Sequence, residues 1–302
     1  MLLHTISITY SFRIAYFKQK IMNRKYRLSL LIGLFFNVFC FFAQEQFLYK
    51  QIDKTKLFLE VYAPNKIDKV KKYPAMVFFF GGGWNKGTLK QFEPHAKYFA
   101  QRGIVCFLVD YRVKNRQNTT PFESLKDAKS AIRYIRENAI KFQIDPTKII
   151  ASGGSAGGHL AAAAALIDGY NETTDNLTTD AKPNALVLFN PAIDNGPGGV
   201  GYSRVKDDYL NFSPLHNIQK GAPSTLILTG TKDNLIPVET IKKYQHKMEK
   251  VESRCEVKFY EGKNHGFFNY NKFQNYKSTL IETDSFLQSL GYLNKLPVVE
   301  IK

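Results

Sequence analysis

The chain has 302 residues, of which 44% are apolar and 23% charged, and its 24 Phe and 17 Tyr can fill a sizeable core. This composition excludes bulk disorder and is typical of one large domain or two small ones. The formal net charge of +16 first suggests an anionic partner, but no nucleic-acid-binding motif accompanies it, so we expect no nucleic acid to bind.

Residues 1–43 have the pattern of a secretory signal peptide. They contain Lys and Arg but no acidic residue, and without them the chain has 36 basic and 26 acidic side chains, a net charge of +10. A basic run at 23–27 precedes an apolar stretch at 28–42. We predict cleavage after Ala43, although Phe41 is large for its place before the cleaved bond. Met22 is the predicted true start.

Two alternatives for this segment stay open. A membrane anchor requires about 20 apolar residues, more than the segment offers. A lipid anchor at Cys40 requires a small residue where Phe39 stands. We expect a secreted or periplasmic protein with a single catalytic domain at 44–302 and no stable membrane association after cleavage. Its two remaining cysteines, Cys106 and Cys255, do not make a disulfide framework, and the oligomeric state stays open.

Beyond residue 44, apolar runs of strand length alternate with amphipathic helical patterns. Strands are predicted at 57–62, as an edge strand, and then at 75–80, 104–109, 148–151, 185–189, 225–229 and 256–260. Helices are predicted at 122–140, 159–167, 237–251 and 277–290. Most of the strands are apolar on both faces, which indicates an α/β fold with a mostly parallel sheet between helices. The aperiodic segment 194–220 is predicted to form a short cap.

The strongest local signal is the run Gly153-Gly154-Ser155-Ala156-Gly157, between a predicted strand and a predicted helix. A serine nucleophile stands on such a sharp turn, and flanking glycines let the strand and the helix approach each other. A phosphate-binding loop is the alternative, but the Lys of such loops is absent and the glycine spacing fits a dinucleotide loop poorly. The run therefore predicts Ser155 as a nucleophile.

A serine nucleophile requires a general base, normally a His that follows it in this type of fold. His265 comes directly after the last predicted strand, where a loop can bring its ring over Ser155. The other histidines fit less well: His95 precedes the serine, His159 is expected to pack in the core, His216 falls in the predicted cap, and His246 lies in a charged helix. His265 is the predicted base.

The acid that orients this His is predicted to be Asp233, which follows the strand at 225–229. It would then lie at the carboxyl edge of the sheet, where such folds place their sites. Asp194, after the preceding strand, is the alternative. Asp110 comes before the nucleophile, and we expect it to form a structural salt bridge with Arg112. These side chains show no spacing typical of metal ligands, and no cofactor is expected.

An oxyanion hole is predicted from Gly81-Gly82-Gly83, which follows the strand at 75–80. The amides of Gly82 and Gly83 would donate to the oxyanion, together with that of Ala156 after the nucleophile. Glycine permits the close approach that these donors require.

Together these motifs resemble the esterase branch of the α/β-hydrolase superfamily, near the hormone-sensitive-lipase-like and acetyl-esterase or carbohydrate-esterase-like families. The resemblance covers residues 50–290 and rests on FFFGGGWNKGT, VDYR, DAKSAIRYIREN, GGSAGGHLA, TKDNLIP and KNHGF. One departure is Phe80, where the family has a His that is thought to brace the glycine loop. We expect activity to be retained, with aromatic packing in place of that brace.

The resemblance implies hydrolysis of small carboxylic esters with short acyl groups. The short cap and the predicted export fit deacetylation of polysaccharides better than lipolysis. Two other functions stay open. A prolyl-oligopeptidase-type peptidase would use the same three side chains but normally has an N-terminal propeller, for which too few residues precede the core strands. A non-catalytic binding protein of the same fold is favoured only by the loss of the His at position 80.

Overall fold

The computed structural model describes residues 45–65, 68 and 70–301. The predicted signal segment 1–43, with Met22 and the predicted cleavage site, lies outside the described residues, as does Gln44, the first residue of the predicted catalytic domain.

A single eight-stranded sheet forms the centre of the described part of the chain. Its strands are β1 (Glu45–Ile52), β2 (Thr55–Tyr62), β3 (Tyr73–Phe79), β4 (Val105–Val109), β5 (Ile144–Gly154), β6 (Ala185–Phe189), β7 (Ser224–Gly230) and β8 (Cys255–Tyr260). Their order across the sheet is β1-β2-β4-β3-β5-β6-β7-β8. β2 runs antiparallel to both β1 and β4, and every other pair is parallel. The predicted mostly parallel sheet is confirmed.

The prediction that 57–62 forms an edge strand is wrong. This segment is most of β2, which lies between β1 and β4, and the strand at this edge of the sheet is β1. β1 lacks the apolar pattern that would predict a strand, and in the structure only Tyr49 and Lys50 are buried along its length. It becomes a strand through a tight hairpin with β2, in which Asp53 takes a positive φ of 49°.

Helices cover both faces of the sheet. They are α1 (Glu93–Arg102), α2 (Lys114–Gln117), α3 (Pro121–Glu137), α4 (Ala156–Leu166), α5 (Tyr202–Val205), α6 (Tyr209–Phe212), α7 (Val238–Lys250) and α8 (Phe273–Ser289). The four predicted helices are α3, α4, α7 and α8. α3 begins with a capping box between Thr120 and Glu123 and with a proline in its first turn. α1, which was not predicted, also has a proline in its first turn.

The core is divided in two by the sheet, and the alternation along β3 shows how. Ala75, Val77 and Phe79 belong to the cluster that includes residues of α3, α4 and α7. Met76 and Phe78 belong to the opposite cluster, with residues of α1 and α8. Because successive side chains of a strand point to opposite faces, a strand covered on both faces is apolar throughout, as all seven residues of β3 are buried.

The predicted pairing of Asp110 with Arg112 is also wrong. Asp110 pairs with Arg116 at 2.6 Å, because α2 brings Arg116 back towards the end of β4. Arg112 instead pairs at 2.8 Å with Asp127, a fully buried carboxylate on α3 that also pairs with Lys50. A buried carboxylate requires charged partners, and this requirement decides which residue Arg112 pairs with.

Candidate active site

The predicted nucleophile, Ser155, stands on a sharp turn between β5 and α4. Its backbone has φ 53° and ψ −118°, a conformation that a residue with a side chain adopts only at a cost of about 1–3 kcal/mol. The turn is held from β6, since the Ser155 amide donates to the Phe189 carbonyl at 3.0 Å. The Ser155 carbonyl accepts from the amides of His159 and Ala192 at 3.0 and 3.1 Å.

The glycines around Ser155 are required by close backbone contacts. A Cβ atom on Gly157 would lie 2.0 Å from the Phe79 carbonyl oxygen, and one on Gly153 would lie 2.4 Å from the carbonyl carbon of Gly157. α4 therefore packs directly against the ends of β3 and β5. This is the packing that the sequence motif predicts.

Asp233 and His265 are in contact. The Nδ1 atom of His265 lies 2.7 Å from the Oδ2 atom of Asp233, whose side chain is fully buried, whereas that of His265 is 25% exposed. The other carboxylate oxygen, Oδ1, accepts from the amides of Leu235 and Ile236 at 2.9 and 3.0 Å. The carboxylate is thus fixed on one side by the backbone and presents its second oxygen to the imidazole.

The two loops that carry this pair lie together because β7 and β8 are neighbouring parallel strands. The Lys232 amide donates to the Lys263 carbonyl at 3.0 Å, and the Gly262 amide donates to the Thr231 hydroxyl at 2.8 Å. A Cβ atom on Gly230 would lie 2.1 Å from the Lys263 carbonyl oxygen. These contacts place the Asp233 loop against the His265 loop.

The loop of His265 also reaches the Ser155 turn. The amide of Gly266, the next residue, donates to the Oδ1 atom of Asn190 at 3.0 Å. Asn190 directly follows Phe189, whose carbonyl accepts from the Ser155 amide. A Cβ atom on Gly154 would lie 2.4 Å from the ring of Phe268. Within the described residues no hydrogen bond joins the Ser155 hydroxyl to His265. Such bonds are often long in enzymes without substrate.

The glycine loop lies beside the serine, as predicted. A Cβ atom on Gly81 would lie 3.5 Å from the Cβ atom of Ser155. In the part of the chain that the structure describes, the amides of Gly82 and Gly83 have no acceptor, whereas that of Gly81 donates to Gln91 at 2.6 Å. The amide of Ala156 is in the first turn of α4, where amides lack an intrahelical acceptor. None of the three predicted donors therefore has an acceptor among the described residues.

The aromatic packing expected at Phe80 is present. Its ring stacks on that of Tyr111, with centroids 4.1 Å apart and planes inclined by 15°. The Tyr111 hydroxyl donates to the Phe80 carbonyl at 2.6 Å, and burial raises the pKa of this phenol, so that it remains a donor. An aromatic pair of this kind contributes about 0.5–1.5 kcal/mol beyond its buried area.

A second support of the glycine loop comes from the segment predicted as a cap. Arg204, on α5, donates from Nη1 to the Gly83 carbonyl at 2.6 Å and to the Oδ1 atom of Asn85 at 2.9 Å. Its guanidinium lies over the ring of Trp84, 5.0 Å from the centroid. No pattern in the sequence pointed to Arg204.

The side chains of the remaining histidines and of Asp194 have other surroundings and partners. His159 packs between Trp84 and Phe212, as expected, and burial lowers its pKa to about 3. His95 is buried among aromatic rings, and burial lowers its pKa to about 3. His246 is exposed on α7, and the Oδ1 atom of Asp194 accepts from the Gly196 amide at 2.9 Å, within its own loop.

Two features are absent from residues 45–65, 68 and 70–301. No group of three or more His, Cys, Asp or Glu side chains in these ranges is arranged to hold a metal ion. No helix there has the length and apolar character needed to cross a membrane.

Known families and proteins match most of the described chain. The BD-FAE family model matches residues 59–195, and that of the dienelactone hydrolase family matches residues 201–289. Esterase LipC of Mycobacterium tuberculosis is 29% identical over 65% of this chain and 54% of its own length. The acetylxylan esterase of Xylanibacter ruminicola is 26% identical over 72% of this chain and 45% of its own. The chain spans about half the length of these curated relatives.

A solved structure is similar over nearly its whole length. Esterase 2 of Thermogutta terrifontis, phosphoramylated by tabun, is 40% identical, with a TM-score of 0.80, over 84% of this chain and 96% of its own. Structures of the same esterase with bound propionate and butyrate match equally well, with TM-scores of 0.79 and 0.80. By its fold and by these relatives, the chain belongs to the esterases of the α/β-hydrolase superfamily.

Proposed function

We propose that the protein is a serine esterase that hydrolyses short acyl esters, acetyl esters of polysaccharides among them, through a Ser155–His265–Asp233 triad. The observation that carries this proposal is the 2.7 Å contact between His265 Nδ1 and a buried Asp233, in a loop that packs on the Ser155 turn. Together with the strained backbone at Ser155, these features supply a base and a nucleophile.

The mechanism that these groups support is a two-step acyl transfer. Nε2 of His265 removes the proton of the Ser155 hydroxyl as the oxygen attacks the ester carbonyl, while Asp233 keeps the proton on Nδ1. The amides of Gly82, Gly83 and Ala156 donate to the developing oxyanion, and losing one such donor typically costs about 3–4 kcal/mol. The protonated His265 gives its proton to the leaving alcohol. Water then hydrolyses the acyl-enzyme by the same steps.

Two comparisons support a short acyl group and a carbohydrate substrate. The similar Thermogutta esterase is known with propionate and with butyrate bound, acids of three and four carbons. The relatives include an acetylxylan esterase and an endo-1,4-β-xylanase B of Butyrivibrio fibrisolvens. The predicted signal peptide agrees with this proposal, because polysaccharides of this kind are met outside the cytoplasm, and we propose export as part of the function.

Labelling with a fluorophosphonate tests the nucleophile. We expect one label per chain, lost in Ser155→Ala and retained in the matched control Ser203→Ala, which changes an exposed serine of α5. The absence of any label on the folded wild-type protein would refute the proposed chemistry and would favour a binding protein.

A substrate panel tests the acyl and alcohol parts. We expect release of acetate from acetylated xylan and rapid hydrolysis of nitrophenyl acetate and butyrate. Hydrolysis of long-chain esters alone would refute the proposed substrate class, and cleavage of a dipeptidyl anilide would favour the peptidase.

A further inference from the structure

Two amide side chains, Gln91 and Asn269, lie between the glycine loop and the loop of His265. Gln91 is the last residue of a single 3₁₀ turn before α1, and Asn269 lies in the turn that follows His265. The two residues are 178 positions apart in the chain. Neither belongs to the motifs that identify the site.

Three hydrogen bonds connect the two loops through these amides. The Gly81 amide donates to Gln91 Oε1 at 2.6 Å, and Gln91 Nε2 donates to Asn269 Oδ1 at 2.9 Å. Asn269 Nδ2 then donates to the Gly266 carbonyl at 2.8 Å. Gly266 directly follows His265, the predicted base. Gly81 directly precedes Gly82 and Gly83, the predicted oxyanion donors. The three hydrogen bonds therefore connect the two parts of the predicted site.

The two backbone groups at the ends of this series of hydrogen bonds fix which atom donates and which accepts in each bond. A backbone amide can only donate and a carbonyl can only accept, so Gln91 must turn its oxygen to Gly81 and Asn269 must turn its nitrogen to Gly266. The orientation of both amides follows, and only this orientation leaves a donor facing an acceptor in the middle. A replacement that removes one donor therefore cannot be repaired by rotating the other amide.

We propose that Gln91 and Asn269 are positioning residues that hold the oxyanion loop and the His265 loop at one fixed separation. The inference rests on the proposed function. In the reaction a single ester carbonyl must meet the amides of the glycine loop while its attacking serine gives a proton to His265. An error of about 1 Å between such groups can cost about 100-fold in rate.

Gln91→Glu tests the middle bond. The new carboxylate still accepts from Gly81 and keeps the size of the side chain, but it cannot donate to Asn269. If Asn269 keeps its orientation, its oxygen and the new carboxylate repel each other. If it turns its nitrogen towards the carboxylate, its oxygen instead faces and repels the Gly266 carbonyl oxygen. We expect kcat for nitrophenyl acetate to fall roughly 10- to 100-fold at pH 8, with KM changed by less than about threefold.

A pH series separates this role from a general structural one. Protonation of the introduced carboxyl group at lower pH restores a donor, so the ratio of variant kcat to wild-type kcat is expected to rise as the pH falls. Gln274→Glu, on the exposed side of α8, is the matched control and should keep a ratio near one at every pH. Asn269→Asp removes the donor to Gly266 and should give a loss of similar size.

Gln91→Met keeps the length of the side chain and removes both of its bonds, and it should lower kcat without recovery at low pH. Wild-type kcat in Gln91→Glu and Asn269→Asp would overturn the proposal, as would a loss confined to KM or a variant ratio that does not change with pH. These outcomes concern the variants alone. A failure of the proposed function would instead appear in the wild-type protein, as the absence of fluorophosphonate labelling.

Discussion

Replacing Asp233 by Asn tests the acid at the site, and the structure predicts which way the new amide must face. Oδ1 of Asp233 accepts from the amides of Leu235 and Ile236. In Asp233→Asn the amide oxygen must keep this place, because the opposite orientation would set its NH₂ group against two N–H donors. The NH₂ group therefore faces His265 Nδ1.

This orientation forces the wrong tautomer on His265. Its Nδ1 atom becomes the acceptor, the proton moves to Nε2, and the ring can no longer take the proton of Ser155. A triad held in the wrong tautomer typically loses about 10⁴-fold in kcat, roughly 5 kcal/mol of transition-state stabilisation. The volume of the side chain is unchanged, so we expect the unfolding midpoint to stay within a few degrees.

Steady-state hydrolysis of nitrophenyl acetate measures this loss, with the rate of fluorophosphonate labelling as a second measure. Asp194→Asn is the matched control and should keep kcat within about twofold, because Asp194 binds the amide of its own loop. A loss of less than tenfold in Asp233→Asn would refute the tautomer argument, and a large loss in Asp194→Asn would move the acid to that residue.

Three further changes have defined outcomes. Gly157→Ala sets a Cβ atom 2.0 Å from the Phe79 carbonyl oxygen and should lower the free energy of unfolding by about 3 kcal/mol or more, measured by urea denaturation. Arg204→Met keeps the side-chain stem over Trp84 but loses the bonds to Gly83 and Asn85, so kcat should fall about tenfold and the unfolding midpoint should fall by a few degrees. His95, whose pKa burial lowers to about 3, stays neutral in the folded protein while the unfolded chain takes up a proton below about pH 6.5. As the pH falls from about 6.5 to about 3, His95 should therefore lower the free energy of unfolding by up to about 1.4 kcal/mol per pH unit. His95→Phe should remove this contribution, and an unchanged dependence of stability on pH would contradict the assignment.

The sequence predicts the parts of the site that depend on local pattern. The Ser155 turn follows from glycines next to a strand, and Asp233 and His265 follow from their places after two strands that become neighbours. The edge strand β1 was missed because its pairing partner, and not its own pattern, makes it a strand. The partner of Arg112 was mistaken because a buried carboxylate on α3, distant in the chain, attracts it more strongly than Asp110 does.

The supports of the site show where sequence reasoning stops. Gln91 and Asn269 are polar residues in irregular segments, and their hydrogen bond depends on α1 and the residues after His265 packing into the same hydrophobic cluster on one face of the sheet. Arg204 likewise meets Gly83 only after the segment 194–220 has folded back on the glycine loop. Single contacts between distant segments have no periodicity and no local motif, so only the structure reveals them.

The stack of Phe80 on Tyr111 has a consequence for the pH range of the oxyanion loop. An imidazole in the place of Phe80 would be a titratable group against the loop, although burial, as at His95, would lower the pH at which it gains a proton. A benzene ring carries no proton to gain, and the buried Tyr111 hydroxyl keeps its own well into alkali. Neither Phe80 nor Tyr111 therefore titrates between moderate acid and moderate alkali, so we expect the support that this pair gives to the glycine loop to stay the same over that range.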